Sequence, residues 1–539
     1  MIARKSFLIV VAQFLVRLFG WVGLLVLAKL WGGFAPVALG MIGFATAFIG
    51  LFSVIADLGF GQAHIKRISE GQDLGTCIGT YAAIKAVLIT IMVLSILGSM
   101  YIAEFVLHMN ITDASTTTVI LIFLIYYVLQ NLQHISVNTF NARGEIAKMQ
   151  ITTMFENVVK VPLMILVVLA GVSMSKVPIA PRVHWPDFLT GLQQFLYKHS
   201  LGALAMAYVL GIFTSILVGF WLLRKYPLKK PSWPLTKNYF IFAFPLLLTS
   251  ILSTLSANID KIMIGYFWTA TEVGYYFSLQ QILQIFLIIS FSFNTVLFPA
   301  FSEYHARKDY ISINEITHLA ERYISMVIIP IAVVTIIFVH PVITIMLNSA
   351  FLPAASTLVI LTIYAIITSF MAPYFCMMSG LNKPGFYAIT TGVICGINIV
   401  LNFLLIPSWG LLSPLGINGP AGAGVATVCS TFAGFIALKI MAKKLTGIKY
   451  FQTHTPRHII AGFGMGLVLY GVNLIIPVTR WYQLIVFAFL GLAVYLLVLY
   501  VLKEFNKKDF KFFLNLVHPK EMFNYIKSEI RDDELRHKK

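Results

Sequence analysis

Charge is what this sequence has least of. Only 11% of its 539 residues are charged, against about 25% in an ordinary soluble domain. Hydrophobic residues reach 59%, more apolar surface than one water-soluble core can hide. Cysteine is nearly absent. Cys77, Cys376, Cys395 and Cys429 fall in or beside apolar stretches without a CxxC pair, which argues against a disulfide framework or a zinc site. No Walker A loop occurs, so direct ATP hydrolysis is excluded. A membrane glycosyltransferase acting on lipid-linked sugars needs acidic residues at the outer face to hold a divalent metal. The expected outer loops offer only Glu104, Asp113, Asp187 and Glu272, scattered and unpaired, and the adjacent pair Asp532-Asp533 falls in the tail. No stretch between apolar blocks is long enough for a soluble domain; the longest outer segment, 174–200, carries Pro178, Pro181 and Pro186. The expectation is a transporter rather than an enzyme, with no cofactor and no metal.

The apolar residues come in blocks of about 20, the length that crosses a ~30 Å hydrocarbon layer as a helix. The first, Phe7–Leu30, is too long for a signal-peptide core and lacks a small-residue cleavage site, so it reads as a retained span. Spans are expected near 7–30, 37–56, 77–100, 117–140, 149–173 and 201–223. A second set lies near 240–266, 273–298, 323–346, 354–377, 385–406 and 419–441, and a final pair near 458–477 and 482–502. These make an all-α polytopic membrane protein of about fourteen transmembrane helices, with both termini on one side. With the termini cytoplasmic, inner segments carry 29 of the 39 Lys and Arg, outer loops 4, and the spans the remaining 6. That is the bias of positive-inside orientation. The net charge of +18 therefore needs no nucleic acid; it reflects topology and contact with anionic membrane lipids.

A basic, proline-broken stretch at 224–237 divides the chain. The expected organisation is an N-terminal lobe at 1–223, this cytoplasmic linker, a C-terminal lobe at 238–442, accessory helices at 443–502 and a basic tail at 503–539. Leu30–Gly40 (LWGGFAPVALG) and Ile264–Gly274 (IGYFWTATEVG) are similar turns, each ending in a hydrophobic-Gly pair that opens the next helix. They point to a parallel pseudo-repeat of six helices. In the tail, Met522, Phe523, Ile526 and Ile530 fall on one helical face, as in an interfacial helix; a disordered basic tail is the alternative.

Charge inside hydrocarbon is costly and faces a cavity or a partner. Arg17 stands mid-span with Gln13 and Gly20 on its face and no acidic neighbour one turn away. Lys85, Lys160 and Lys261 are further in-membrane cations, and Asn157, Asn258, Gln280 and Gln284 are polar cavity candidates. Asp57, His134, Glu156 and Asp260 are coupling or charge-pair candidates. Glu156 and Lys160 are spaced to neutralise one another. Asp260, Lys261 and Lys85 have a snorkelling alternative, and Lys29 and Lys439 read as snorkelling anchors. Gln130, His134, Asn138 and Asn141 recur at helical spacing, as a cavity face or as interhelical glue.

Four short motifs run along the chain: Ala56-Asp-Leu-Gly-Phe-Gly61, Asn258-Ile-Asp-Lys-Ile-Met-Ile-Gly265, Glu272-Val-Gly-Tyr-Tyr276, and Leu401-Asn-Phe-Leu-Leu-Ile-Pro407 leading to Ala421-Gly-Ala-Gly-Val-Ala426. With these the sequence resembles the polysaccharide-exporter branch, the Wzx-like lipid-linked oligosaccharide flippases, of the multidrug/oligosaccharidyl-lipid/polysaccharide (MOP) transporter superfamily. It departs from that pattern by an insertion at Leu411–Gly416 and by the segment 174–200. The resemblance implies two six-helix lobes around a central cavity, two accessory helices, a polyprenyl-phosphate-linked glycan as cargo, and glycan-assembly enzymes as partners. In-membrane cations suit its phosphate or pyrophosphate. The alternative is a cation-coupled drug or metabolite exporter of the same superfamily, which should present an acidic cavity.

Overall fold

The computed structural model describes residues 18–106, 113–175, 187–381, 383–448 and 454–505. Every regular element among them is helical. In hydrocarbon a helix satisfies its own backbone hydrogen bonds, which is why long apolar runs take this form.

Fourteen helices coincide with the fourteen expected spans. The first eight are α1 (Leu18–Leu30), α2 (Ala35–Ser53), α3 (Leu74–Tyr101), α4 (Ala114–Ala142), α5 (Ile146–Ser175), α6 (Ser200–Leu223), α7 (Trp233–Phe267) and α8 (Ala270–Ala306). The remainder are α9 (Tyr310–Ile337), α10 (Ala355–Gly380), α11 (Pro384–Leu405), α12 (Gly419–Thr446), α13 (His454–Ile475) and α14 (Trp481–Val501). Among the described residues twelve helices are long and apolar enough to cross a membrane; the other two expected spans fall on α1, described from Leu18, and on the 37-residue α8. Large apolar side chains such as Val87, Leu94, Phe463, Phe489 and Leu497 stand more than half exposed, as a lipid-facing surface requires. The protein is a multi-pass membrane protein.

Helix starts follow capping chemistry. Asp73, Asp113 and Asp309 each accept the backbone N–H three residues on, and Thr269 with Glu272 forms a capping box at α8. α7 begins seven residues before its expected start and α8 runs eight past its expected end; the largest departure is in the ninth span. The ninth span, expected at 323–346, begins at Tyr310 and breaks at Phe338, where a separate short helix, Val339–Met346, follows. The cause is Pro341, which cannot donate to the carbonyl of Ile337 and whose ring crowds it.

Pairwise packing repeats along the chain. α2 packs on α4, α4 on α6, and α6 on α5; six helices later α8 packs on α10, α10 on α12, and α12 on α11. α1 lies on α5 through Gly20 and Gly23, as α7 lies on α11. α13 packs on α9 and α14 on α13.

The two similar turns meet each other. A Cβ on Gly40 would stand 1.6 Å from the Ala270 carbonyl oxygen, and one on Gly274 would stand 1.8 Å from that of Pro36. α2 and α8 thus cross backbone to backbone at their N-terminal ends, a contact only glycine permits. Beside it, Asn348 donates to the carbonyls of Ala28 and Gly32, and Lys29 donates to the Thr344 carbonyl. Arg17, Gln13 and the expected interfacial tail helix lie outside the described residues.

Candidate functional site

A polar cavity of about 520 Å³ opens where the C-terminal end of α2 meets α4 and α7. Its position follows from the Ala56–Gly61 motif. After α2, a short 3-10 turn (Val54–Ala56) is followed by two residues with left-handed backbone, Leu58 (φ 44°) and Gly59 (φ 83°). That reversal leaves Asp57 at the cavity wall before the helix Phe60–Ser69 begins. A Cβ at Gly61 would sit 2.8 Å from Asn138 Nδ2 and 3.2 Å from Asp57 Oδ1, so glycine allows both polar groups to close in. α4 contributes Gln130, His134 and Asn138, and α7 contributes Ser250 and Ser253.

Behind Asp57 stands Lys85, with no solvent exposure. Its ammonium donates to the Ala56 carbonyl at 2.7 Å, Asp57 Oδ1 at 3.0 Å and Asn131 Oδ1 at 3.1 Å. All three of its donors are engaged, so Lys85 holds the carboxylate from within and does not line the cavity. Asp57 itself is 39% exposed. Asn138 Nδ2 donates to Tyr81 Oη at 2.9 Å, and the Tyr81 ring stacks on buried His64. The cavity wall is therefore held by a hydrogen-bonded set drawn from α2, α3 and α4.

Two other clusters hold Asp260 and the Glu156–Lys160 pair. Asp260, 4% exposed on α7, accepts from Tyr276 Oη at 2.6 Å, Asn402 Nδ2 at 2.7 Å and Thr427 Oγ1 at 2.9 Å. These neutral donors come from α8, α11 and α12, and they rule out the snorkelling alternative for Asp260. Lys261, next in sequence, makes no ion pair with it among the described residues; neighbours on a helix point in different directions. On α5, Lys160 meets Glu156 at 3.1 Å, Tyr126 Oη donates to the same carboxylate, and the Lys160 ammonium lies 5.0 Å from the Tyr208 ring. The spacing anticipated this pair.

Lys160, Lys261, Asn157, Gln280 and Gln284 do not line the 520 Å³ cavity. Asn258 lies one turn beyond its Thr254 wall, donating to the Thr254 carbonyl at 2.9 Å and packing on Gly50 of α2. Lys439 is not a snorkelling anchor: its ammonium is 3.4 Å from Glu321, a 2% exposed carboxylate on α9 that also accepts from Tyr374 Oη at 2.6 Å. Sequence reasoning missed Glu321, Asn131, Thr427 and the single turn of α11 that places Asn398 and Asn402 four residues apart. That last spacing was the available signal.

A family profile described as polysaccharide biosynthesis protein matches residues 2–305. Over 481 residues the chain is 23% identical to a Haloferax volcanii protein named probable low-salt glycan biosynthesis flippase Agl15, covering 87% of this chain and 90% of that one. Among solved structures it resembles the lipid II flippase MurJ in an inward closed conformation, with a TM-score of 0.67, 15% identity, and coverage of 91% of this chain and 98% of that one. It also resembles an inward-facing multidrug resistance MATE family transporter of the MOP superfamily, with a TM-score of 0.57, 13% identity, and coverage of 81% of this chain and 99% of that one. At such identities these two likenesses concern the fold. The profile spans more than half of the sequence, and the chain belongs to the polysaccharide biosynthesis protein family.

Proposed function

We propose that this protein flips a polyprenyl-phosphate-linked oligosaccharide from the cytoplasmic to the outer leaflet by alternating access, for assembly of a surface glycan. The observation that carries the reading is the 520 Å³ cavity walled by amides and hydroxyls in an otherwise apolar chain. Such groups both donate and accept, which matches sugar hydroxyls. Membership of the family and the name given to the Haloferax relative support the same cargo class. Helices α1–α6 and α7–α12 act as two lobes, and the Gly40–Gly274 crossing closes the end of the path away from the cavity. Arg17 is the proposed phosphate contact on sequence grounds, and Asp57 with His134 the proposed coupling pair. Outward movement of the anion is favoured by about 2.3 kcal/mol per charge per 100 mV. The protein performs no covalent chemistry in this scheme, and glycan-assembly enzymes supply and consume its cargo.

The test is reconstitution of the full chain into vesicles holding a fluorescent polyprenyl-diphosphate oligosaccharide, scored by the arrival of label in the opposite leaflet. Flipping well above protein-free vesicles is expected, with strong loss in Asp57→Asn. Flipping no faster than in empty vesicles, together with active export of a cationic dye, would transfer the assignment to the drug-exporter reading.

Orientation is tested separately. Reporters fused after Lys237, Lys308 and Lys449 are expected in the cytoplasm and one near Asp187 outside, as the charge bias implies. A cytoplasmic signal at Asp187 contradicts the scheme.

A further inference from the structure

A second polar cavity, of about 430 Å³, lies apart from the first, where α9, the start of α13 and the chain just after α14 converge. Its centre is Glu504, 3% exposed. Arg322 of α9 reaches its carboxylate with Nε at 2.8 Å and its backbone carbonyl with Nη2 at 2.6 Å. Arg457 Nη1 donates to the other carboxylate oxygen at 2.8 Å, and His454 Nδ1 lies 2.6 Å from the first. Burial raises the proton affinity of this carboxyl, and the hydrogen bonds from Arg322, Arg457 and His454 outweigh it, leaving its pKa below the usual glutamate range. Glu504 is ionised and saturated. It fixes the cations in place without neutralising them, since one carboxylate faces two guanidiniums. Lys503 also lines the cavity, and Glu315 is the other acid there.

Two features separate this cluster from an internal ion-pair knot. Arg457 remains 42% exposed and uses only Nη1 on Glu504, leaving most of its planar fork for a ligand. Lys503 is exposed, and its ammonium bonds to no described residue. Its backbone is informative as well. α14 ends in a left-handed turn at Lys503 (φ 56°), closed by the Glu504 N–H on the Leu499 carbonyl at 2.9 Å. Glycine is the usual residue there because a side chain strains that conformation. A lysine held at this point turns Glu504 inward and presents its own ammonium at the cavity.

The cavity sits at the first turn of one span and the last turn of another, which is the level of lipid headgroups. We infer that it binds the phosphate of an anionic phospholipid headgroup, gripped by Arg457 and Lys503 and backed by Arg322. Guanidinium and ammonium donors converging on one point are the groups that hold phosphate. The volume lies within the range of about 300–1,000 Å³ typical of small-molecule sites. The site is independent of the cargo and of the cavity at Asp57.

The experiment titrates phosphatidylglycerol into the full-length protein in neutral detergent and follows the rise in Tm. Two variants are compared, Arg457→Gln and Lys503→Gly; the second relieves the positive φ, so its folding is not at risk. Each loses a charge-assisted contact, and the half-saturating lipid concentration is expected to rise about tenfold. Phosphatidylcholine is expected to give no comparable shift. Coincident titrations for the wild type and both variants would overturn the site. An equal Tm rise with inorganic phosphate alone would overturn the lipid assignment in favour of a soluble phosphate.

Discussion

Valine at position 274 is expected to abolish transport while leaving a protein that inserts and folds. The atom a Cβ would strike at 1.8 Å is the Pro36 carbonyl oxygen, part of the α2 backbone. A side chain could rotate away; a helix backbone cannot, and close-packed interiors do not absorb such an overlap. α2 and α8 must therefore separate at this end. Packing within α1–α6 and within α7–α12 does not pass through this contact, so each set is expected to stay intact. Gly40→Val should act in the same way, because its Cβ would meet the Ala270 carbonyl oxygen at 1.6 Å. With the four native cysteines replaced, spin labels at Phe34 and Thr271 should report a longer separation in either variant than in the parent. Unchanged distances with normal flipping would show that this crossing does not close the path.

How far this was legible in the sequence depends on the range of the interaction. Long apolar runs are read from composition alone, so most spans were placed to within a few residues. The exceptions are α7, which begins at Trp233, α8, which runs on to Ala306, and α9, which begins at Tyr310 and stops at Ile337. The Glu156–Lys160 pair was legible because one helix carries both partners at a fixed spacing. Pairs that join different helices were not. Lys85 and Asp57 are 28 residues apart, and only the turn at Leu58 and Gly59 brings them together. The short motifs behind the family resemblance carried more than their length implied. Ala56–Gly61 builds the cavity wall. Asp260, Tyr276 and Asn402, from three further motifs, form one buried cluster. Gly274, in the third, is half of the α2–α8 crossing. The Glu504 cluster was invisible in the sequence because its cations come from α9 and α13, far from the tail to which Lys503 and Glu504 were expected to belong.

Lys85→Met and Asp57→Asn together separate a structural role for this pair from a functional one. In Lys85→Met alone, the methionine fills most of the buried volume but leaves Asp57, Asn131 Oδ1 and the Ala56 carbonyl without their donor. Breaking a buried pair from one side typically costs about 3–5 kcal/mol. Asp57 is 39% exposed to the cavity, so water offsets part of this and a loss at or below the lower end is expected, read as a drop in Tm. Adding Asp57→Asn removes the unpaired charge and should recover much of that stability, a coupling visible only in the double-mutant cycle. Transport then decides the role. If Asp57 serves only to neutralise Lys85, the stable double variant should flip cargo at close to the parental rate. The geometry favours the other outcome, because Lys85 is sealed behind the wall while the carboxylate faces the cavity between Gly61, His134 and Asn138. The double variant is therefore expected to be folded and inactive. A folded double variant with full activity would remove Asp57 from the transport cycle, and a Lys85→Met protein as stable as the parent would remove the ion pair from the fold.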